Sequence, residues 1–133
     1  MDEVIFREVT LYLDAARESL AVARLNLNND FYAAAINRSY YAIFYAANAA
    51  LTIRKLSRGK HSGVLAVFRQ QFIKTGLLPA ELSEIYGQVM EDRHESDYEL
   101  FSATSKEDAE IDFAQAQRFV DYVEAWLRKE GWL

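Results

Sequence analysis

The sequence predicts an all-α protein, an up-and-down bundle of about five helices. Three observations predict it. Apolar residues recur at a helical period through several long segments, and no segment alternates as a strand does. One proline and five glycines are all that interrupt 133 residues. The hydrophobic share of 51% and the aromatic share of 14% suit one packed core and argue against disorder. A single domain spanning residues 1–133 is expected.

The first helix is expected from Glu3 to Leu27, with Val4, Leu11, Ala15, Val22 and Leu25 as its apolar positions. The run NND at 28–30 ends it, and Asp30 is a candidate N-cap for the next helix. The second helix is expected from Phe31 to Arg54 and contains AAAINRSYYAIFYAANAAL. Its alanines favour helix and permit close approach by neighbours. Ile36, Tyr40, Ile43, Phe44, Ala47 and Leu51 share one broad face. A narrower stripe carries Asn37, Tyr41 and Asn48, with Arg38 and Tyr45 at its edge. Apolar on most of its circumference, this helix is expected at the centre of the bundle, and its polar stripe must find partners.

A basic loop, RKLSRGK at 54–60, leads to a third helix from Ser62 to Lys74, ended by Thr75-Gly76 with the glycine left-handed. Pro79 suits the first turn of a fourth helix that runs to His94 or Ser96. Ser105 and Asp108 have the spacing of a capping box. The fifth helix then runs to Lys129, with Phe113, Ala116, Phe119, Val120, Val123 and Leu127 inward.

Cysteine is absent, which excludes disulfides and thiolate metal sites and suits a reducing cytoplasm. The opening MDEVIFREV lacks the basic and apolar regions of a signal peptide, and YYAIFYAANAAL is too short to span a bilayer. A cytoplasmic location with no membrane attachment is the expectation. The net charge of −5 disfavours non-specific binding to long duplexes but leaves room for a small basic site.

INRSYYAIFYAANAAL, GKHSGVLAVFRQQFIKTGLLP and EDRHESDYE together resemble the HEPN-domain family, especially its small stand-alone prokaryotic branch. The resemblance spans Asp30 to Leu127. It implies a five-helix bundle that pairs as a homodimer, often encoded beside a minimal nucleotidyltransferase and acting with it as a toxin–antitoxin pair. Active members are metal-independent endoribonucleases whose motif is an arginine, a polar residue, and a histidine four to six positions after the arginine. Arg93 matches the arginine and His94 the polar residue. The motif histidine has no match, and Tyr98 stands in its window.

Metal-free RNA cleavage needs a base, an acid and cationic stabilisation of the phosphorane. An arginine supplies the last, because its planar fork grips phosphate oxygens. Histidine is the residue type that exchanges protons near neutral pH. Tyrosine, with an ordinary pKa of about 10, is a poor base but can stack on a base or position a phosphate. Arg93, His94 and Tyr98 are thus the catalytic candidates, and Asn37, Arg38, Tyr41 and His61 the candidates for binding RNA or nucleotide.

Each has a plainer reading. Arg93 and His94 can cap a helix C-terminus, or Arg93 can pair with Asp97. Tyr98 can pack in a core or interface, and Asn37, Arg38 and Tyr41 can form a network tying the second helix to its neighbours. Tyr40 reads as core. His61, at a helix entrance beside Lys60, can hold an anion or merely pack. No metal-binding spacing and no glycine-rich phosphate loop is present, and no cofactor is expected. The missing histidine favours binding over cleavage. The expected protein is a toxin–antitoxin-type component that binds RNA or nucleotide at a dimer-interface cleft. The alternatives are a metal-independent endoribonuclease and a dimeric scaffold for a nucleotidyltransferase.

Overall fold

The computed structural model describes residues 2–56, 61–98 and 104–133, with the side chains of His61, Ser62 and Tyr98 outside the description. The elements are α1 (Glu3–Asn28), α2 (Tyr32–Thr52), α3 (His61–Phe68) continued by a π-helical turn (Arg69–Ile73), α4 (Ala80–Tyr98) and α5 (Lys106–Lys129). The described residues contain no strand, so the chain is all-α with five helices, as expected.

The centre of the bundle is α2, which packs against α1, α3, α4 and α5. Ala35, Ala42, Ala46, Ala47, Ala49 and Ala50 are completely buried, so small side chains are what let the neighbours close in. The larger volume comes from aromatics. Tyr40, Tyr86, Phe68, Phe72 and Phe119 are fully buried. The rings of Phe68 and Phe119 lie 5.4 Å apart, and those of Tyr86 and Phe119 meet edge to face at 5.8 Å. All the inward positions expected of α2 and α5 are buried.

Three local expectations are corrected. In α1 the core face is Ile5, Val9, Leu13, Ala16, Leu20, Ala23 and Leu27, whereas Val4, Leu11, Val22 and Leu25 are exposed. The helix carries two apolar stripes, and the one stepping by threes and fours without a break faces the core. Asp30 does not cap α2, whose N-cap Phe31 has no side-chain cap bond. Asp30 instead takes the left-handed conformation, φ 64°, at the end of α1. Its amide donates to the Leu27 carbonyl at 3.2 Å and the next amide, of Phe31, to that of Asn26 at 2.8 Å, which is a Schellman ending. Finally, α3 does not run unbroken to Lys74. The Lys74 amide reaches back five residues to the Arg69 carbonyl at 2.9 Å, the widened ring of a π turn. Phe68 and Phe72 stay buried through it while Arg69 lies outside.

Other ends match their sequence signals. Gly76 is left-handed at φ 76°, and Ser105 accepts the Asp108 amide at 3.0 Å to start α5. Among the described residues no helix is long and apolar enough to cross a membrane.

Candidate functional site

The polar stripe of α2 meets the last turns of α4. Asn37 and Arg38 stand side by side on α2, and the Asn37 side-chain oxygen accepts from Arg38 Nε and Nη2 at 3.1 and 2.9 Å. The Asn37 amide donates to Asp97 Oδ2 at 3.2 Å. The same oxygen accepts from Arg93 Nε at 3.1 Å, one turn earlier on α4. A continuous polar chain, Arg38–Asn37–Asp97–Arg93, therefore joins the two helices. It fixes Arg93 because Arg93 and Asp97 are i,i+4 neighbours on a helix that continues to Tyr98.

Aromatic rings complete the setting. The Arg93 guanidinium lies 4.8 Å from the Tyr40 ring centre and 5.6 Å from that of Tyr41. Arg38 lies 4.6 Å from the same Tyr41 ring, which is thus flanked by two guanidiniums. Only 17% of the Arg93 side chain is exposed, so it lies along the protein instead of reaching into bulk solvent. Burial pushes the Tyr40 phenol up to about 12, with the Arg93 charge pulling the other way. Tyr40 is consequently a neutral phenol at physiological pH and cannot act as a base there.

Beside this network opens a cleft of about 670 Å³ between α3, the π turn and α4. Arg93, His94, Tyr40, Arg69, Gly87 and Glu91 contribute to its walls, together with Leu65 and Met90. Arg69 donates from Nε to the Ser83 hydroxyl at 2.7 Å, which ties the π turn to α4. The cleft thus combines two guanidiniums, one imidazole and one carboxylate with an apolar floor. That composition can hold a phosphate and place a proton carrier beside it.

The structure brings together Arg93, His94, Asn37, Arg38 and Tyr41 from the residues singled out in the sequence. Arg93 and His94 line the cleft, while Asn37, Arg38 and Tyr41 lie on the other side of Arg93. The network reading and the polar-wall reading of the α2 stripe therefore describe the same residues. His61 begins α3 and Tyr98 ends α4, but their side chains lie outside the described residues, as do Arg58 and Lys60 of the basic run. Arg69 and Gly87 were not legible as site residues. A glycine inside a helix was the one available signal, and a π turn leaves none in the periodicity.

The chain matches the HEPN domain family over residues 9–126. A UPF0332 protein of Thermotoga maritima is 40% identical over 109 residues, covering 82% of this chain and 83% of the relative. A Methanocaldococcus jannaschii protein that bears the name "Putative toxin" is 33% identical over 121 residues, 91% of this chain and 82% of its own length. A second protein of that organism with the same description is 32% identical, with coverage of 97% and 96%. The fold is an all-α bundle of the HEPN class, and with the match over residues 9–126 the chain belongs to the HEPN domain family.

Proposed function

We propose that the protein is a toxin-type HEPN component that binds RNA or a nucleotide by its phosphate in the Arg93 cleft. The observation that carries this reading is the placement of Arg93. Its Nε is committed to Asp97, its guanidinium carbon lies 4.8 Å from the Tyr40 ring centre, and its side chain borders an open cleft. A guanidinium held in this way has already lost the side-chain freedom that phosphate binding would otherwise cost. The names of the two archaeal relatives support the toxin part.

Pairing of two copies belongs to the same reading. Leu11 is 60% exposed and lines a second hollow with Glu8, Tyr12, Ala15 and Tyr45. The Tyr45 ring lies 6.0 Å from that of Tyr41, so this apolar surface runs directly into the polar network. In this reading a homodimer is seated there, against the Tyr41 side of Arg93. A minimal nucleotidyltransferase is the partner expected to control the protein.

Binding of a fluorescent single-stranded oligoribonucleotide and of a mononucleotide tests the reading. Arg93→Ala should weaken binding about ten-fold, the loss of one charge-assisted phosphate contact, with the helical circular dichroism unchanged. Unchanged affinity in a folded Arg93→Ala protein contradicts it.

The endoribonuclease reading is second, and His94 on the cleft wall favours it. It expects metal-free cleavage to 2′,3′-cyclic phosphate ends, lost in both His94→Ala and Arg93→Ala. Intact RNA after incubation in chelator, with and without the partner, rejects cleavage while leaving binding in place.

A further inference from the structure

We propose that Arg69 is a second phosphate-binding residue of the Arg93 cleft, and that Gly87 is a glycine because the Arg69 guanidinium occupies the space a side chain would fill. The inference rests on the cleft binding phosphate, and adds a residue that neither the α4 motif nor the α2 stripe contains.

Four observations carry it. Arg69 and Arg93 line the same cleft from different elements, the π turn and α4. Arg69 opens that π turn, an irregularity that recurs at functional sites because it re-aims one side chain without breaking the helix. Its Nε is held by the Ser83 hydroxyl at 2.7 Å, while among the described residues no carboxylate lies within ion-pair distance of it. A neutral partner orients the guanidinium without taking up its charge, in contrast to Arg17, which pairs with Asp121 and Glu124, and Arg118, which pairs with Glu81. Lastly, a Cβ at Gly87 would stand 3.0 Å from Arg69 Nη2, closer than ordinary contact. Glycine inside a helix is unfavourable, so its presence facing this guanidinium calls for a compensating gain. Glu91 on the same wall opposes any anion, and a second cation offsets that repulsion.

The ligand chemistry is a phosphate, either one group of a mononucleotide or the diester of an RNA strand. Dissociation constants are measured for a fluorescein-labelled oligouridylate and for AMP over a range of potassium chloride concentrations. For a diester, Arg69→Gln should weaken oligouridylate binding about five- to ten-fold and lower the slope of log K against log salt by about 0.7. Arg69→Lys, which keeps the charge, should recover most of that slope. A loss confined to oligouridylate assigns the site to the strand, and a loss with both probes assigns it to a single phosphate. Gly87→Ala keeps both arginines and should weaken binding while the melting temperature is unchanged or higher, a split that a structural role for Gly87 does not produce. Wild-type affinity and slope in Arg69→Gln, alongside weakened binding in Arg93→Ala, overturn the role of Arg69 and leave the cleft reading intact. Unchanged binding in both variants, or no binding of either probe by the wild-type protein, overturns both.

Discussion

Arg93 illustrates how one side chain acquires a fixed direction. An arginine on a helix surface is ordinarily mobile, and holding it costs rotamer entropy. Here Asp97 holds Nε, Asn37 holds Asp97, and the rings of Tyr40 and Tyr41 lie close beside the guanidinium. Asp112 is a contrasting case, a carboxyl buried in α5 at 2% exposure. Burial foremost, then the hydrogen bond and charge of Asp92, push its pKa from 3.8 up to about 8. The folded form therefore holds a proton that the unfolded chain releases. Stability contributed at this site is full below pH 3.8 and declines as pH rises to about 8. Asp112→Asn keeps the shape without the titration. Urea melts across that range should show the variant gaining on the wild type steadily as pH rises. Parallel pH profiles contradict it. Asp30 offers a simpler test. A left-handed aspartate at a Schellman ending is replaced at no steric cost by glycine, so Asp30→Gly should stabilise by about 0.5–1 kcal/mol in the same assay, less the exposed hydrogen bond that the Tyr32 hydroxyl donates to Asp30 at 3.0 Å.

The helices show how far local pattern reaches. The apolar faces of α2 and α5 were legible because they are broad and unbroken, and Gly76 and Ser105 mark ends by conformational rules that need no tertiary information. The face of α1 was misread because the helix has a second apolar stripe, and which stripe meets the core is decided by continuity over its full length. Asp30 has the chemistry of an N-cap and of a left-handed residue alike, and the bonds of the Asp30 and Phe31 amides back into α1 decide between them. The π turn was invisible because FRQQF fits an ordinary helix equally well. The candidates Arg93 and His94 come from the family resemblance, whereas Arg69 is brought beside them only by packing. At this scale Gly87→Ala should add about 0.5–1 kcal/mol of helix stability, less whatever is needed to move the Arg69 terminus. A loss exceeding 1 kcal/mol in thermal melts would mean the guanidinium cannot yield.

The whole molecule arranges its surface unevenly around a central α2. The α1–α5 side is closed by Arg17, which pairs with Asp121 at 2.7 Å and Glu124 at 3.2 Å. The side with Leu11 and Tyr45 is apolar and continuous with the Tyr41 network. If two copies meet there, Leu11→Glu should place charge in a desolvated contact and shift the dimer to monomer at micromolar concentration in sedimentation velocity. A dimer unaffected by that change would place the contact elsewhere. The most direct test of the proposed phosphate binding at the Arg93 cleft is to follow the arginine Nε–H resonances by NMR while titrating in the oligouridylate. The Arg93 resonance should shift and saturate while that of Arg17 stays still. Equal shifts at both arginines, or none at Arg93 under conditions where the oligonucleotide binds, would contradict the assignment of the site.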